Sequence, residues 1–589
     1  MYPRPVGERD LSAERKAAVD KILADTAPLK LIVAGPGTGK THTFKQLLSG
    51  DRRDNLVLTF INLLVKDLTD EIGDAAVVET LHKYALGVLY HQGAPGLSNH
   101  FKLYPHLGQM LEPDVAMLLG HDVPTESIEK AMQWLEENDA IEAFLRAGNY
   151  YDAVGFIDVV YRLVRRLADD PKAIAAYRQV LIDEVQDFTK LEVELINQLA
   201  TQSHIVVAGD DDQAIYGGRH ASPEFIRAMA AGGVWKQFEL PFCSRCTPVI
   251  VGAVHDVLDK AKAEGLMKDR IEKTYECFTP SKAADGDRYP KIILVECSVE
   301  RKTAHYAARY IAQQIKAIPD EDIAESHAEP KYPTVLVIGR GDFTKPVADL
   351  LEQEGYDVTR PKKRQDRIEI LDGYKYLVDE ETLRLGWRIV CECSPPDNIN
   401  EVLRRAVIDG AELRDQLSPD YVERHLAIVH LIAKLLNGVE LTEQESGQLE
   451  KAASKTIDEL RNALGLVEHA APDIDKTKPS VLITSFQGAK GLSGGYVFVV
   501  GMNQGALPKG FGDPTDEDIR LFVVALTRTR KQCHLVYINH YGQVRLVRSR
   551  LLIGIDRRRF ENVTVNAEYF RPPRLAPPQP ETWQRQDRG

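Results

Sequence analysis

Short apolar runs alternate along the first part of the chain with stretches of helical periodicity. The runs lie at residues 29–33, 55–60, 76–81, 180–182 and 204–208, and most are rich in Leu, Ile and Val. Short runs of this kind are typical of buried parallel strands. The alternation therefore predicts a parallel α/β sheet whose functional site lies at the carboxyl ends of its strands.

The same alternation returns later and predicts a second α/β unit that begins near residue 236. Its apolar runs lie at residues 291–296, 334–338, 481–485 and 496–500, with helices expected at 301–317 and about 516–530. Two long stretches of mainly helical pattern interrupt the two units and carry no phosphate chemistry. We interpret both as insertions.

These patterns predict a division into domains. The first domain takes residues 1–90 and 179–235 with an insertion at 91–178, the second takes 236–365 and 476–565 with an insertion at 366–475, and 566–589 is a tail. The tail is rich in Pro, so we expect it to be disordered.

The bulk composition narrows the class of protein. The chain has 589 residues, of which 44% are hydrophobic and 27% charged, as in ordinary globular proteins. No apolar run is long enough for a membrane span and no signal peptide is evident, so we expect a cytoplasmic protein without membrane contact. Seven scattered cysteines favour a reducing compartment. A net charge of −13 argues against indiscriminate nucleic-acid binding but permits a local basic track.

A glycine-rich loop follows the first apolar run and precedes a helical stretch. It consists of Ala34, Gly35, Pro36, Gly37, Thr38, Gly39, Lys40 and Thr41. Its backbone N–H groups can point into one cup, Lys40 supplies a charge for the phosphates, and Thr41 supplies a hydroxyl for Mg²⁺. Ala34 replaces the first Gly of the usual pattern and is small enough to fit. We interpret this loop as the site of a nucleoside triphosphate with Mg²⁺.

Polar residues also end two later apolar runs. Asp183 suits Mg²⁺, and Glu184 could polarise an attacking water. Adjacent acids at a strand end are also common in solvated loops, so this pair alone leaves both interpretations open. Farther along, Gln213 could sense the γ-phosphate, and Tyr216 offers a ring for stacking.

Taken in order, these motifs resemble a known family. They are residues 34–41, 181–188, 207–216, 485–493 and 521–530, and the resemblance extends from about residue 11 to about 538. The chain is similar to superfamily 1 DNA helicases of the UvrD/Rep/PcrA type. This implies an α/β fold of two RecA-like P-loop domains with parallel sheets, each carrying a mainly helical inserted subdomain. It also implies ATP and Mg²⁺ as cofactors, with movement along single-stranded DNA from three-prime to five-prime.

The resemblance assigns roles at the nucleotide site. It implies that Lys40 and Thr41 bind phosphate and Mg²⁺, with Asp183 as the other metal ligand. The implied catalytic set is Glu184 as base, Gln213 as γ-phosphate sensor, and Arg245 and Arg528 as arginines that neutralise transition-state charge.

The DNA-facing positions match the family less closely. The resemblance implies DNA contacts from Thr59, Phe60, Asn62, Thr80, His82, Tyr216 and Lys490. Short polar groups would hold phosphates without reading sequence, and a tyrosine ring would stack on a base.

Four positions depart from the family pattern. Arg15 stands where relatives have the glutamine that reads adenine, and Gly218 stands where they commonly have a base-stacking tryptophan. Gln487 replaces a histidine and Ser493 replaces a glutamate associated with the nucleotide sugar. We therefore expect the phosphate chemistry to be intact. We expect Arg15 to bind the nucleotide with reduced selectivity for adenine, and base stacking to be weaker.

Two further patterns remain outside the motor motifs. Cys243 and Cys246 have a metal-like spacing, but no second C-x-x-C completes a four-ligand set, so we expect no metal cluster there. Basic runs at 361–367 and 557–559 are typical of solvated surfaces, although either could lie beside duplex.

Two functions of different classes fit the sequence. The first is an ATP-dependent three-prime to five-prime translocase or helicase that acts on single strands or single/double-strand junctions. The second is a nucleic-acid-sensing ATPase switch that gates a protein partner such as a nuclease. An RNA translocase also stays open, because phosphate contacts alone do not distinguish the sugars. The sequence leaves the pathway open among repair, replication, mobile elements and defence.

Overall fold

The computed structural model describes the chain in a series of segments. These are residues 9–48, 52–59, 65, 68–70, 72–298, 303–328, 332–360, 367–467 and 475–571. The chain forms two compact units. The first comprises Met1–Val251, Gly265–Ala284 and Pro361–Asp475, and the second comprises Gly252–Glu264, Asp285–Arg360 and Lys476–Gly589. Both long helical stretches therefore belong to the first unit.

A parallel sheet forms the centre of the first unit. Its strands in chain order are β1 (Leu29–Ala34), β2 (Asn55–Thr59), β3 (Val77–Thr80), β4 (Lys102–Leu103), β5 (Ala153–Val154), β6 (Gln179–Ile182), β7 (His204–Gly209), β8 (Lys236–Leu240), β9 (Phe242–Cys243) and β10 (Glu276–Cys277). Six of them form the described sheet in the order β3-β2-β6-β7-β1-β8, and every neighbouring pair is parallel. The short strands β4 and β5 pair with each other, as do β9 and β10. The parallel sheet expected from the apolar runs is confirmed.

Helices connect these strands and build the insertions. Those of the first unit, or reaching into it, are Leu11–Ala24, Lys40–Leu47, Leu81–Gln92, Leu107–Leu119, Thr125–Gln133, Asp139–Tyr150, Val159–Asp169, Lys190–Ala200, Glu224–Ala231, Pro248–Ala263, Thr279–Arg288, Ile370–Asp379, Arg384–Cys393, Ile399–Val407, Pro419–Leu436, Glu443–Ala453 and Ile457–Ala463. Local capping fixes several of their starts. The Thr189 hydroxyl accepts from the Glu192 N–H, and the Glu192 carboxylate accepts from the Thr189 N–H, which forms a capping box.

The edge strand β8 lies in a different sheet from the one expected. The second domain was expected to begin at residue 236, whereas Lys236–Leu240 pairs in parallel with β1 of the first sheet. An apolar run does not reveal which sheet an edge strand joins, because the partner strand is distant in sequence. The rest of the proposed division into domains stays a prediction.

The second unit has its own parallel sheet. Its strands are β11 (Ile292–Cys297), β12 (Val335–Ile338), β13 (Val358–Thr359), β14 (Val481–Thr484), β15 (Gly494–Val500), β16 (Thr529–Ile538), β17 (His540–Tyr541), β18 (Val544–Arg545) and β19 (Phe560–Val565). The described sheet has the order β13-β14-β12-β15-β16-β11-β19, and β17 pairs with β18 as a separate antiparallel pair. Two parallel sheets with helical connections confirm the fold class of two RecA-like domains.

The helices of the second unit follow its strands. Those that lie wholly within it are Thr303–Lys316, Asp320–His327, Gly341–Gln353 and Asp516–Leu526. The helix expected at about 516–530 ends earlier, because strand β16 begins at Thr529. None of the helices in the described segments combines the length and the apolar character needed to cross a membrane.

The two helical insertions share one buried core inside the first unit. Apolar residues of both stretches, such as Phe144 and Trp387, belong to the same buried cluster. At its centre the Arg388 guanidinium donates to the Asp114 carboxylate over 2.8 and 3.1 Å, and both side chains are fully buried. The Tyr151 hydroxyl donates to the second Asp114 oxygen over 2.5 Å. The insertions therefore pack as one body.

We expect Arg388→Met to destabilise the packed insertions by about 3–5 kcal/mol, because it leaves the Asp114 carboxylate buried without its charge partner. Denaturant unfolding followed by circular dichroism measures this loss. The double variant Asp114→Leu with Arg388→Met should recover much of the stability, since no unpaired charge remains. Equal stability of the single and double variants would contradict the assignment of the cost to the stranded carboxylate.

Candidate functional site

The phosphate loop joins strand β1 to the helix Lys40–Leu47. Gly37 and Gly39 have φ values of +74° and +94°, a region that residues with a Cβ rarely adopt. The Thr38 hydroxyl donates to the Gly35 carbonyl over 2.9 Å and fixes the turn. The loop thus has the strand–loop–helix context that phosphate binding requires at a helix N-terminus.

The Lys40 ammonium lies against the acidic pair at the end of strand β6. Its Nζ is 3.1 Å from Glu184 Oε1 and 3.8 Å from Asp183 Oδ1. Burial opposes the charge on Lys40, but attraction by Glu184, Asp183 and Asp210 outweighs it and raises the pKa of Lys40. Glu184 has a φ of +57°, an unusual conformation for a residue with a side chain. The structure therefore brings the expected phosphate, metal and base residues together.

A series of hydrogen bonds through Gln186 and Asp210 connects Glu184 to Gln213. Gln186 donates to Glu184 Oε2 over 2.5 Å, and its own oxygen accepts from the Asp210 N–H over 3.0 Å. Gln213 Nε2 donates to the Asp210 carboxylate over 2.9 Å. Glu184 and Gln213 are thereby linked through two intermediate residues. Gln186 was not among the predicted site residues, although it lies in the same motif as Glu184.

Three consecutive aspartates, Asp210 to Asp212, surround the ammonium of Lys273. Its Nζ lies 2.7, 3.2 and 2.7 Å from the carboxylates of Asp210, Asp211 and Asp212. Arg270 donates to both Asp212 oxygens. Although burial opposes it, Lys273 and Arg270 hold the pKa of Asp212 down at about 2. These aspartates have the spacing of a metal site, but Lys273, Arg270 and Arg227 together supply three balancing charges. No sequence motif marked Lys273.

A second segment packs against the phosphate loop. The Ser244 N–H and hydroxyl both donate to the Gly37 carbonyl, over 2.9 and 3.2 Å. A Cβ at Gly37 would collide with the Cβ of Arg245, so the predicted arginine lies directly beside the loop. The Tyr275 ring covers Gly35, and its hydroxyl donates to the Pro36 carbonyl over 3.0 Å. Nothing in the sequence pattern pointed to Ser244 or Tyr275.

Arg15 also lies at the phosphate loop. Its guanidinium stacks on the Phe278 ring, with the central carbon 4.6 Å from the ring centroid. A Cβ at Gly39 would lie 3.4 Å from Arg15 Nη2. The structure thus brings Arg15 to the loop that the sequence analysis assigned to the nucleotide, and it adds Phe278 as its support.

Thr41 and Asp183 are the residues expected to hold Mg²⁺. Thr41 stands in the first turn of the helix Lys40–Leu47, and Asp183 follows strand β6 on the neighbouring acidic pair. Hydroxyl and carboxylate oxygens are the ligand types that Mg²⁺ prefers. The oxygen donors of these two residues therefore fit Mg²⁺. That Mg²⁺ binds here stays a prediction.

The expected nucleic-acid residues of the first unit lie at the ends of strands and beyond them. Thr59 and Thr80 are register partners at the carboxyl ends of β2 and β3. The Thr80 hydroxyl already accepts from the Lys83 N–H over 3.2 Å as a helix cap. His82 contacts the Phe156 ring. Phe60 and Asn62 lie outside the described residues.

The Tyr216 ring and its neighbour Gly218 lie in the loop after strand β7. The Arg219 guanidinium lies 5.7 Å from the Tyr216 ring centroid. A Cβ placed on Gly218 would meet no described atom within 4 Å. A large side chain at this position is therefore permitted locally, although the chain has none.

The second unit holds the remaining predicted residues. Arg528 is buried, and its guanidinium donates to the carbonyls of Val524 and Leu492 over 2.9 and 3.0 Å. Lys490 is also buried. The Ser493 hydroxyl accepts from Arg530 over 3.0 Å. The roles proposed for Arg528 and Lys490 stay predictions.

Comparisons with known proteins point to one family. An AAA domain model matches residues 15–219, and a model of the UvrD-like helicase C-terminal domain matches residues 413–540. The ATP-dependent DNA helicase PcrA of Leuconostoc citreum is 22% identical over 86% of this chain and 79% of its own. PcrA of Staphylococcus aureus is 22% identical over 89% and 82%. DNA helicase II of Rickettsia typhi is 23% identical over 90% and 92%.

Proposed function

Because the chain belongs to the UvrD/Rep/PcrA type of superfamily 1 helicases, which hydrolyse ATP and act on DNA, we propose that it moves along single-stranded DNA from three-prime to five-prime. The observation that carries the proposal is the convergence of Lys40, Asp183 and Glu184 at the phosphate loop. In this arrangement a phosphate-binding lysine lies within reach of a metal ligand and a base. We also propose that the protein works in the cytoplasm.

ATP binding changes the partners of Lys40. Phosphate oxygens compete for its ammonium, which lies 3.1 Å from Glu184 in the structure. Release of Lys40 leaves the Glu184 carboxylate able to accept a proton from an attacking water. The Gln186 amide, which donates to Glu184, orients the carboxylate. Thr41 and Asp183 would hold Mg²⁺, which would supply charge neutralisation of the phosphates.

The link from Glu184 to Gln213 gives hydrolysis a route toward the nucleic-acid residues. Gln213 lies in the loop that also carries Tyr216, only three residues farther along the chain. A change of hydrogen bonding at Gln213 would therefore move a residue expected to stack on a base. Stacking and phosphate contacts of this kind hold a single strand without reading its sequence.

A second function is favoured by one observation, the open space beside Gly218. Without an aromatic ring at this position, the protein has one stacking contact fewer to hold the single strand while it separates a duplex. In this alternative the ATPase senses nucleic acid and gates a protein partner such as a nuclease. Both functions use the same hydrolytic residues and differ in what the motion accomplishes.

One experiment tests the motor and separates the two functions. We measure ATP turnover with and without single-stranded DNA, and strand separation on duplexes with either a three-prime or a five-prime overhang. We expect single strands to stimulate ATP turnover strongly. We expect the protein to move from a three-prime overhang toward the duplex, and to separate the strands poorly when it acts alone. Absence of stimulation by DNA or RNA would overturn the motor. Stimulation without directional movement would favour the switch.

Gly218→Trp is expected to strengthen the grip on single strands. One base stack is worth about 1–3 kcal/mol, so affinity should rise roughly tenfold and strand separation should improve. Fluorescence anisotropy with labelled single strands measures the affinity. Gly217→Trp is the matched control, because a Cβ there also meets no described atom within 4 Å, while the ring starts one residue away. An equal rise in affinity for single strands in both variants would show that a ring at position 218 has no specific stacking role.

Arg15 is expected to weaken discrimination between ATP and GTP. Guanidinium groups only donate hydrogen bonds, whereas the adenine edge offers a donor and an acceptor. We expect kcat/KM for the two nucleotides to differ by no more than about tenfold, and Arg15→Gln to widen the difference in favour of ATP. Steady-state ATPase and GTPase assays measure both values. Strict ATP dependence that survives Arg15→Ala would mean that another group reads the base.

A further inference from the structure

The C-x-x-C pair lies between a strand and a helix beside the phosphate loop. Strand β9 ends at Cys243, and the helix Pro248–Ala263 begins two residues after Cys246. A strand, a C-x-x-C turn and a helix in this order are the setting of thiol–disulfide chemistry in α/β folds. Among the described residues, these cysteines do not belong to a group of three or more potential metal ligands.

A hydrogen bond links the two cysteines, because the Cys246 N–H donates to Cys243 Sγ over 3.4 Å. Neither cysteine forms a disulfide in the structure, and both are fully buried. Only a small oxidant reaches such a site without unfolding of the protein.

Cys243 has the character of a reactive thiol. Burial opposes its thiolate form, but hydrogen bonds from the Cys246 thiol and from the backbone N–H groups of Cys246 and Arg245 outweigh burial and lower the pKa of Cys243 to about 6. The thiolate is the nucleophile in thiol oxidation. Cys277 differs, because burial raises the pKa of its thiol to about 12.

The turn between the cysteines holds the phosphate loop. Ser244 donates twice to the Gly37 carbonyl. A Cβ on Gly37 would lie 3.1 Å from Cys243 Sγ and would collide with Arg245. Any change in the path of residues 243–246 is therefore transmitted to the backbone that cups the phosphates.

We propose that Cys243 and Cys246 are a redox modification site at which a peroxide forms a disulfide that switches off the nucleotide site. In the first step the Cys243 sulfur attacks one peroxide oxygen, the O–O bond breaks, and the other oxygen leaves as water after protonation. In the second step the Cys246 sulfur attacks the Cys243 sulfenic acid, the S–S bond forms, and the hydroxyl leaves as water with the Cys246 proton. Two thiols are oxidised, and hydrogen peroxide is reduced to two waters.

The disulfide changes the geometry of the turn. An S–S bond of about 2.05 Å draws the two sulfur atoms together and repositions Ser244 and Arg245 between them. Displacement of groups at a reacting centre by about 1 Å can cost on the order of 10²-fold in rate. We therefore expect oxidation to lower ATP turnover at least tenfold, and a thiol reductant to restore it. This readout rests on the proposed ATPase, whereas disulfide formation itself does not.

The full-length protein is treated with hydrogen peroxide with and without ATP and Mg²⁺, then divided for three measurements. Peptide mass spectrometry after alkylation locates any disulfide, fluorescent nucleotide titration measures binding, and an ATPase assay measures turnover before and after reductant. We expect a Cys243–Cys246 disulfide, slower in the presence of nucleotide, together with a reversible loss of turnover.

Two cysteine variants sharpen the test. Cys246→Ser should keep turnover within about twofold before oxidation and should lose the reversible response to peroxide. Cys277→Ser is the matched control, because Cys277 is the register partner of Cys243 across the β9–β10 pair, and this variant should keep the response. A disulfide that involves Cys277, or no disulfide under conditions that oxidise a free thiol standard, would overturn the proposal. Disulfide formation without any ATPase in the reduced protein would contradict the proposed function and leave the modification site intact.

Discussion

Glu184→Gln is expected to keep ATP binding and to lower the maximal rate of hydrolysis by about 10²–10⁴-fold. This is the range that a positioned general base contributes. The amide is nearly the same size as the carboxylate but cannot accept a proton from water. The change also removes the negative partner 3.1 Å from Lys40, which leaves Lys40 free for phosphate. Single-turnover hydrolysis and fluorescent nucleotide titration measure the rate and the binding separately.

Two variants frame this result. Lys40→Ala should lose both binding and hydrolysis, because a phosphate-binding charge disappears. Glu194→Gln makes the same chemical change on the helix Lys190–Ala200 of the same unit, outside the site, and should leave the rate unchanged. Near-normal hydrolysis by a folded Glu184→Gln protein would refute the assignment of the base.

The part of the site that the sequence predicted is the local part. The phosphate loop is a continuous segment, and its glycines are needed for the backbone itself, as the positive φ values of Gly37 and Gly39 show. The acidic pair was similarly visible, because Asp183 and Glu184 directly follow an apolar strand. Parallel strands then bring these segments to one sheet edge without further information.

The groups that the sequence did not reveal are brought in by distant packing. Lys273 contacts the carboxylates of Asp210 to Asp212, and Tyr275 covers Gly35, yet both lie in a segment with no recognisable motif. Their identity matters only because residues 265–284 pack into the first unit. A single lysine or tyrosine in a polar stretch carries no signal of its partner, so no sequence pattern predicts these contacts.

The packing of the insertions was hidden for the same reason. Helical periodicity predicted two helical stretches, but it gives only the buried face of each helix and not the partner of that face. Asp114 and Arg388 would each be expected at a surface, because charged residues are seldom fully buried unless paired. Their pairing is visible only in the folded chain.

Arg528→Ala is expected to reduce the maximal rate of ATP hydrolysis by about 10³–10⁵-fold while changing nucleotide affinity much less. An arginine that meets the phosphates stabilises the charge that develops in the transition state more than the charge of bound ATP. In the second unit the Arg528 guanidinium donates to the carbonyls of Val524 and Leu492. These two hydrogen bonds fix the orientation of the guanidinium plane. Turnover at saturating ATP and saturating single-stranded DNA is the measurement.

A second buried arginine separates this catalytic effect from a structural one. Arg520 lies on the helix Asp516–Leu526 and is buried like Arg528. Its Nη2 atom is 3.7 Å from Asp516 Oδ2. Arg520→Ala should lower the thermal stability without a comparable loss of rate in the folded protein. Arg528→Lys should recover only part of the rate, because a lysine keeps the charge but loses the planar fork. If Arg528→Ala and Arg520→Ala lose stability equally and both keep the maximal rate, Arg528 has a structural role only.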